Sequence, residues 1–437
     1  MDKKPVVVIG AGLAGLATAS LLAKKGVPVC VLEASGEPGG RARVIEKDGY
    51  TLEYGAHSYR YGPKSSAQKI MEELGGSLEW INEDHKNWMI KGKDLFAIPG
   101  GKKEEGAEKK YFHRPEIEKV REALSKFMSE SPEKWHKKSL ASFMGKLLED
   151  EKAGLLVRLI GLQLMEPDPE HLSAGELIVH LRRSFDAGVG AAAIKGSSKI
   201  LIDKMKDTVL GSGSEIKFRT RGLAIEFEKG RVKSIDTSAG VVEPEVLVYA
   251  APLQQLFRIA APNHFPEKLI KKIKHMEPVS GVSIDFGLRE EICELSGWMI
   301  DPEQGIMGKF QSNTDSGLAP KGKQLSSWLI IIPPEQMSDP EAVRSAIHRL
   351  RTQVKKLFPD FFAAAEFERI LALSIIDGVC LSPRQSIVDR PGIAVPGIEN
   401  LFLAGDCVAA AGASGEIALA SGMEASLKAA QFLGKGG

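Results

Sequence analysis

The chain has 437 residues, of which 43% are hydrophobic and 26% charged, and this composition is ordinary for a globular protein large enough for two domains. The formal net charge of +1 argues against a nucleic-acid partner, because phosphate-binding surfaces need clustered excess positive charge. Four scattered cysteines without a C-x-x-C pair indicate neither a disulfide framework nor a metal site.

The first predicted element is a strand, a glycine-rich turn and a helix. Residues 5–9 form an apolar strand, and residues 16–25 form the helix. Between them lie the turn residues Gly10, Ala11, Gly12, Leu13, Ala14 and Gly15. In such a turn the first glycine permits a tight bend, the second lets the backbone approach a pyrophosphate, and the third lets the helix pack on the strand. The start of the helix presents unpaired N–H groups to the phosphates, so the unit predicts a dinucleotide.

A second predicted strand, residues 28–32, ends at Glu33. A carboxylate at this place can accept hydrogen bonds from both hydroxyls of a ribose, and it would repel a 2′-phosphate. The strand, turn, helix and second strand therefore favour FAD or NAD over NADP.

The segments that separate FAD from NAD lie after Glu33 and near the C-terminus. Residues 36–43 include a glycine-glycine-arginine turn, and residues 49–57 form a short strand that closes on Gly-Ala. Residues 397–406 include an apolar run that ends in Gly-Asp, and a glycine-rich stretch follows. Together these segments resemble the flavin amine oxidase superfamily, which includes phytoene desaturases, protoporphyrinogen oxidases and amine oxidases. The resemblance implies FAD as the cofactor.

The resemblance also implies an α/β fold, in which a glutathione-reductase-type FAD-binding Rossmann domain is joined to a mixed-sheet substrate domain with a helical cap. The FAD-binding domain would be discontinuous and comprise residues 1–80, 188–260 and 384–437. The substrate-binding domain would comprise residues 81–187 and 261–383, with a helical subdomain at residues 115–183. Apolar positions spaced by three and four residues support helices in this subdomain.

Between the two ends, periodicity predicts further elements. They are helices at residues 65–74, 200–208 and 340–357, a hairpin at 88–98, and strands at 215–218, 223–227, 232–237, 246–249, 279–286, 307–311 and 324–332. A return segment, residues 188–199, resembles a family segment in which glycine is usual where this chain has Ser197. The almost entirely apolar residues 155–165 fit either a cap that touches a membrane or an ordinary buried helix.

A set of cofactor contacts follows from the resemblance. Asp406 would accept a hydrogen bond from a ribityl hydroxyl or lie beside the pyrophosphate, and the helix from residue 416 would point its N-terminus at the flavin pyrimidine. A helix start there stabilises the negative charge of the reduced flavin by about 0.3–2 kcal/mol. Besides the six turn residues, the implied contacts are Glu33, Ala34, Gly39, Gly40, Arg41, Gly55, Ala56, His57, Gly222, Leu223, Gly405, Asp406, Gly415, Glu416 and Ile417. The family usually has valine at the position of Gly222, but the contact there is through backbone.

The resemblance also bears on the substrate. Amine oxidases of the superfamily carry a lysine near flavin N5 where this chain has Asp285, and an aromatic residue where it has Ser414. Both are missing, and the context at residues 172–177 and 194–196 is closer to phytoene desaturases and protoporphyrinogen oxidases. The resemblance therefore favours dehydrogenation or saturation at a C–C bond of a large apolar substrate, with hydride passing between a substrate carbon and flavin N5.

His57 and Tyr59 are the candidate catalytic residues, because they follow the Gly-Ala that should face the flavin. His57 would either move a proton or line the pocket. No metal ligand is expected in the site.

Other functions are left open. A flavin amine oxidase would share the fold and the cofactor. A prenyl-binding protein without enzyme activity, similar to Rab escort and GDP-dissociation-inhibitor proteins, would share the architecture without flavin, but the presence of Glu33, Gly405 and Asp406 argues against it. An NAD-dependent dehydrogenase would need a nicotinamide site that the sequence does not reveal.

The remaining expectations concern partners and location. We expect oxygen or a quinone as the electron acceptor, and a monomer or homodimer. An apolar run follows residues 1–4 without a cleavage site, and no stretch approaches the roughly eighteen apolar residues of a spanning helix, so the sequence predicts a cytoplasmic protein. The basic residues 268–274 leave peripheral contact with the inner membrane face open.

Overall fold

The computed structural model describes residues 4–55, 58–83, 87–99 and 110–435. The strands in these ranges are β1 (Val6–Ile9), β2 (Val29–Leu32), β3 (Val44–Lys47), β4 (Tyr50–Glu53), β5 (Tyr59–Arg60), β6 (Trp80–Asn82), β7 (Trp88–Lys91), β8 (Asp94–Ala97), β9 (Ala191–Ile194), β10 (Glu215–Lys217), β11 (Gly222–Glu228), β12 (Arg231–Thr237), β13 (Gly240–Val242), β14 (Val246–Tyr249), β15 (Val279–Leu288), β16 (Met299–Asp301), β17 (Ile306–Phe310), β18 (Gln324–Ile331), β19 (Ala365–Asp377) and β20 (Leu401–Leu403). The α-helices are α1 (Leu13–Lys24), α2 (Ser66–Glu73), α3 (Arg114–Ser129), α4 (Leu140–Met144), α5 (Glu151–Gly161), α6 (Ala174–Ala187), α7 (Lys199–Gly211), α8 (Glu267–Lys274), α9 (Gln311–Thr314), α10 (Pro340–Leu357), α11 (Phe361–Ala364) and α12 (Gly415–Phe432).

A five-stranded parallel sheet forms the layer that carries the glycine-rich turn. Its strand order is β10-β2-β1-β14-β20. Strands β1, β2 and β14 consist of buried apolar residues, as expected for a parallel sheet covered on both faces. The chain runs from β1 through α1 to β2 on one side, whereas β14 and β20 lie on the other. The order therefore reverses beside β1, and open sheets of this kind bind ligands outside the carboxyl ends of their strands at such a point.

Helices α1 and α12 pack closely against each other beside this sheet. The Thr18 hydroxyl donates a hydrogen bond to the carbonyl of Gly422 at 3.1 Å. A Cβ atom on Gly422 would lie 2.6 Å from the carbonyl oxygen of Ala14, so only glycine permits this approach. The first and last helices of the chain are therefore neighbours, as the resemblance implies.

A seven-stranded mixed sheet forms the second layer, in the order β19-β15-β18-β17-β16-β7-β8. Its strands are antiparallel except for the parallel pair of β16 and β7. One face packs on α10 and buries Ile284, Phe310 and Trp328. The prediction of an α/β fold with a parallel sheet and a separate mixed sheet is confirmed. The residue limits given for the two domains stay a prediction.

Strand β19 was not predicted, although it is the longest strand in the described residues, with 13 residues. Glu366, Glu368 and Arg369 lie among apolar residues near its start, and residues 365–375 alternate between half-buried and exposed. Strand β19 lies at the edge of its sheet. The alternation is typical of an antiparallel strand with one face in contact with water.

The helical region contains α3, α4, α5 and α6, so helices form where the sequence pattern predicted them. Its limits as a subdomain stay a prediction. Leu155, Leu156, Val157 and Leu159 of α5 are all buried. The apolar stretch is therefore an ordinary buried helix. No helix among the described residues is both long enough and apolar enough to cross a membrane.

The return segment adopts the backbone that the family pattern implies. Ser197 has a φ of +85°, in the left-handed region that favours glycine, and its side chain is buried. The serine therefore keeps the conformation of the glycine that it replaces, at a cost of order 1–3 kcal/mol that the surrounding structure must offset.

Candidate flavin site

The glycine-rich turn has the geometry that its sequence predicts. Gly10 has a φ of +104°, and a Cβ on Gly15 would lie 1.9 Å from the carbonyl oxygen of Gly10. A Cβ on Gly12, in contrast, would meet no described atom within 4 Å. Gly10 and Gly15 are therefore needed for the turn and its packing, whereas Gly12 leaves open space beside the backbone.

Two helix starts lie next to this open space. Among the described residues, no side chain caps the start of α1 or the start of α12. A Cβ on Gly415, the first residue of α12, would lie 3.5 Å from the Cδ1 atom of Leu13 in α1. Both helices thus direct N–H groups and the positive ends of their dipoles to the space beside Gly12. Phosphate or developing negative charge is stabilised at such helix starts.

The glycine pair after β2 lies against the turn. Gly39 and Gly40 have φ angles of +99° and +56°, and the Gly39 N–H donates to the carbonyl of Ala11 at 2.7 Å. A Cβ on Gly40 would lie 3.1 Å from the Cα of Gly12. A side chain at this position would therefore enter the space beside Gly12.

Glu33 lies at the carboxyl end of β2 and holds the turn. Its Oε2 accepts the Ala11 N–H at 2.8 Å, and its Oε1 accepts the Ser35 N–H at 2.7 Å. The neighbouring Ala34 is exposed. The contact of Glu33 with a ribose stays a prediction, because both oxygens bond to backbone in this structure.

Gly222 and Leu223, two further cofactor contacts that the resemblance implies, begin β11. The Thr220 N–H donates to the carbonyl of Glu33 at 2.8 Å, which brings the chain before β11 beside β2. A Cβ on Gly222 would lie 3.5 Å from Ile9 at the end of β1, and Leu223 exposes 52% of its surface. Gly222 thus lies close to the end of β1, and the cofactor contacts of Gly222 and Leu223 stay a prediction.

Arg41 and Asp406 form a two-pronged ion pair. The guanidinium donates to the two carboxylate oxygens at 2.6 and 2.7 Å, and it also donates to the carbonyl of Ile376 at 3.0 Å. The Gly378 N–H adds a further hydrogen bond to Asp406 at 2.6 Å. Burial alone would raise the pKa of Asp406, but the charge and hydrogen bonds of Arg41 lower it below its ordinary value. Protein donors thus occupy Asp406, and its contact with a ribityl hydroxyl or pyrophosphate stays a prediction.

The side chain of Glu416 is also bound to protein. It accepts the N–H of Ser66 at 3.0 Å, the Ser66 hydroxyl at 2.9 Å and a guanidinium N–H of Arg183 at 2.7 Å. Glu416 therefore ties α12 to the start of α2. Its backbone N–H donates to the carbonyl of Ala413 at 3.1 Å, and its contact with a cofactor stays a prediction. Ile417 is buried, whereas Gly405 has a φ of +136° and no described atom within 4 Å of its Cβ position.

Of the two candidate catalytic residues, only Tyr59 lies within the described ranges. Ala56 and His57 lie outside the described residues. Gly55 is exposed, and a Cβ on it would lie 3.1 Å from the carbonyl oxygen of Arg41. Tyr59 is buried in the core of the first layer, and burial raises the pKa of its phenol above the ordinary value, while the Ser198 hydroxyl acts in the opposite direction. Its catalytic role stays a prediction.

A row of polar residues, of which the sequence analysis named only Asp285, crosses the seven-stranded sheet. Lys309, Ser327, Asp285 and Arg369 are cross-strand neighbours on β17, β18, β15 and β19, so they share one face. Ser327 donates to Asp285 Oδ1 at 2.5 Å, and Arg369 donates to Asp285 Oδ2 through Nε at 2.8 Å. We refer to these four residues as the polar row. It lies on the face opposite to the one that packs on α10.

The polar row contacts the chain before and after residues 56–57. Arg369 contacts residues 53 and 54, and Lys309 is connected to residue 58 through Glu83. Arg369 donates to the carbonyl of Glu53 at 2.6 Å and stacks on the ring of Tyr54 at 4.5 Å. Lys309 forms a fully buried ion pair with Glu83, which in turn accepts the Ser58 hydroxyl. A lysine within the apolar strand sequence of β17 is the signal that would have drawn attention to this network.

Asp377 is a further residue that the sequence analysis missed. It is the last residue of β19, it is half-buried, and its Oδ2 accepts the Ser414 hydroxyl at 2.5 Å. The pKa of Asp377 is raised to about 6, mainly by burial and to a smaller extent by the charge of Asp406. Ser414, Arg41 and Arg60 act to lower this pKa. Two carboxylates in one site thus have pKa values shifted in opposite directions.

The chain matches the family described as flavin containing amine oxidoreductase over residues 13–428. It therefore belongs to this family. The residues present fit its cofactor, FAD, because open space adjoins Gly12 and Gly405 and the starts of α1 and α12 are uncapped within the described residues. The protein is an FAD-dependent oxidoreductase.

Individual relatives match shorter stretches. The chain is 34% identical over 101 residues to a coproporphyrinogen III oxidase of Staphylococcus aureus, and this stretch spans 22% of each protein. It is 52% identical over 52 residues to a lycopene-forming phytoene desaturase of Pantoea ananas, or 12% of this chain and 11% of that one. The solved structure of an oxidoreductase from Methanosarcina mazei has the same fold, with a TM-score of 0.77, 18% identity, and coverage of 96% of this chain and 99% of that one.

Proposed function

We propose that the protein transfers hydrogen at a carbon–carbon bond of a large substrate, in the manner of porphyrinogen oxidases and phytoene desaturases. When bound, the flavin supplies hydride transfer at N5. The chain holds the cofactor on the open backbone at Gly12 and Gly405 and directs two helix starts at its charges. The observation that carries the proposal is the pairing of Asp285 with Arg369, at the position where amine oxidases of the superfamily have a lysine.

The pairing argues against an amine substrate. The lysine and the aromatic residue that amine oxidases of the superfamily have at these two positions are absent here. Asp285 is buried, and Arg369 and Ser327 donate to both of its oxygens. Ser414, at the position of the aromatic residue in amine oxidases, donates its hydroxyl to Asp377. Amine oxidation is therefore the weaker alternative.

Of the two substrate classes, the charged groups favour a porphyrinogen. Arg41 and Arg183 expose 37% and 30% of their side chains beside the start of α12, and Arg60 is half-buried nearby. Coproporphyrinogen carries carboxylates and pyrrole N–H groups that such cations and carboxylates can bind, whereas phytoene is a hydrocarbon. The substrate is thus large and only partly apolar. Oxygen or a quinone is the proposed electron acceptor.

The test is anaerobic mixing of the FAD-loaded protein with three substrates: coproporphyrinogen III, phytoene in detergent, and putrescine. We expect coproporphyrinogen III to abolish the visible absorption of the oxidised flavin. Loss of absorption with phytoene alone would replace the porphyrinogen with an isoprenoid substrate. Loss of absorption with putrescine alone would contradict the proposal. Subsequent mixing with oxygen or menadione identifies the acceptor.

A further inference from the structure

We propose that Asp377 is the proton-accepting group of the active site, with Ser414 as its positioning residue. This inference rests on the proposed function and adds to it the residue that takes up the second hydrogen of the substrate. The candidate catalytic residues from the sequence do not include it, because β19 was not predicted.

The position of Asp377 follows from the strand and the loop that meet there. Asp377 ends β19, and the next residue, Gly378, donates its N–H to Asp406. A Cβ on Gly378 would lie 2.5 Å from Asp406 Oδ1, so the chain passes as close to Asp406 as glycine allows. Ser414 precedes α12 with a φ of +53°, and its hydroxyl points to Asp377 rather than capping the helix. Asp377 therefore lies between Asp406 and the start of α12.

The carboxylates of Asp406 and Asp377 have different hydrogen-bond partners. Arg41 binds both oxygens of Asp406, whereas within the described chain only a hydroxyl, that of Ser414, donates to the side chain of Asp377. Among the residues that the structure describes, the other charged or titratable groups near Asp377 are Arg60 and the thiol of Cys380. One carboxylate is consequently held ionised while the other takes up a proton near neutral pH, with its pKa at about 6. Such a separation is the usual basis for assigning acid and base roles in a site with two carboxylates.

Asp377 also remains accessible, unlike the carboxylates whose oxygens are held in buried ion pairs. Glu176, which pairs with Arg390, and Asp406 are both almost fully buried. Asp377 is half-buried, and so are Arg41 and Arg60 beside it. A proton can therefore enter or leave the free oxygen of Asp377 without breaking an ion pair.

The proposed step balances as a two-electron dehydrogenation. One substrate C–H bond would break with its electron pair, and FAD, when bound, would supply the acceptor for that hydride. The C–H or N–H bond on the conjugated side breaks with its electrons forming the new double bond, and its proton goes to the carboxylate of Asp377. The substrate is oxidised by two electrons, and the carboxylic acid releases its proton to solvent afterwards.

The first test measures the midpoint potential of bound FAD against pH, and needs no substrate. We expect a change of slope near pH 6 in the wild type that is absent in Asp377→Asn. The change should move to higher pH in Ser414→Ala, because the lost hydroxyl acts to lower the pKa of Asp377. Glu368→Gln removes a charge from the same strand, where Glu368 pairs with Arg351 at the surface, and it should keep the wild-type profile. An unchanged profile in Asp377→Asn, or in Ser414→Ala if the first variant does not fold, would overturn the proposal.

The second test measures the rate of flavin reduction by coproporphyrinogen III. Asp377→Asn should lower this rate by about 10²–10⁴-fold and remove its dependence on a group titrating near pH 6, while Glu368→Gln keeps both. Equal rates in wild type and Asp377→Asn would overturn the proposal. If coproporphyrinogen III does not reduce the wild-type flavin, the proposed porphyrinogen substrate fails, and the potential measurement alone decides the role of Asp377.

Discussion

Arg41 and Asp406 are 365 positions apart in the chain, and two hydrogen bonds of 2.6 and 2.7 Å join their side chains. The pair connects the glycine-glycine-arginine turn near the N-terminus with the Gly-Asp motif near the C-terminus. It also separates the two carboxylates of the site into one that is ionised and one that titrates near neutral pH. The two ends of the chain are thus neighbours at the predicted cofactor site.

Removal of one member of this pair should be more harmful than removal of both. In Arg41→Met the carboxylate of Asp406, 6% exposed, keeps its charge without its partner, and the free energy of unfolding should fall by about 3–5 kcal/mol. In Arg41→Met/Asp406→Asn the buried charge is gone, and most of the loss should be recovered. Urea unfolding of the FAD-free proteins at neutral pH measures both values. Equal stability of the single and double variants would contradict the expected cost of the unpaired charge.

Two glycines of the turn should respond differently to alanine. Gly12→Ala should fold with little change in stability, since the added Cβ meets no described atom within 4 Å, but its affinity for FAD should fall because the methyl group enters the cofactor space. Gly15→Ala should lose several kcal/mol of stability, because its Cβ would overlap the carbonyl oxygen of Gly10. Thermal unfolding and FAD titration of the two variants separate the effects. A Gly12→Ala protein that binds FAD like the wild type would contradict the assignment of this space to the cofactor.

For the buried ion pair between Lys309 and Glu83, removal of one partner should also destabilise the protein more than removal of both. Lys309→Met leaves Glu83 charged and buried, so unfolding should become about 3–5 kcal/mol easier, and Lys309→Met/Glu83→Gln should restore much of it. Lys323→Met is the matched control, because Lys323 pairs with Glu366 at the surface and its loss should cost at most about 1 kcal/mol. Denaturant unfolding of all three variants provides the comparison. A cost no larger than that of the control would mean that the buried pair adds little.

Stability should depend on pH through Asp377. Its pKa in the folded protein, about 6, lies above the unfolded value, so the folded state binds more protons in this range. The stabilisation is complete below about pH 4 and is lost as pH rises through 6. Asp377→Asn should therefore become more stable than the wild type above pH 6, by at most about 3 kcal/mol and less in proportion to the partial exposure of Asp377. Melting temperatures of the FAD-free proteins between pH 4 and 8 measure this, and parallel curves would exclude the raised pKa.

Local sequence patterns predicted the elements but not the long-range pairs. The helix at residues 340–357 has the predicted limits, and the strands around the glycine-rich turn are confirmed, because apolar periodicity and glycine spacing are properties of neighbouring residues. The pairs of Lys309 with Glu83 and of Asp377 with Ser414 depend on which strands become neighbours in space. Nothing within a short window fixes that choice. Strand β19 was missed because charged residues interrupt its apolar positions, and Asp377 was missed with it.

The central claim is that the glycine-rich turn and the last helix together hold one FAD. The most direct measurement is the visible spectrum of the purified, folded protein before and after incubation with FAD and removal of the excess. We expect the absorption bands of a flavin, with about one FAD per chain. Folded protein that stays colourless after this treatment would contradict the account.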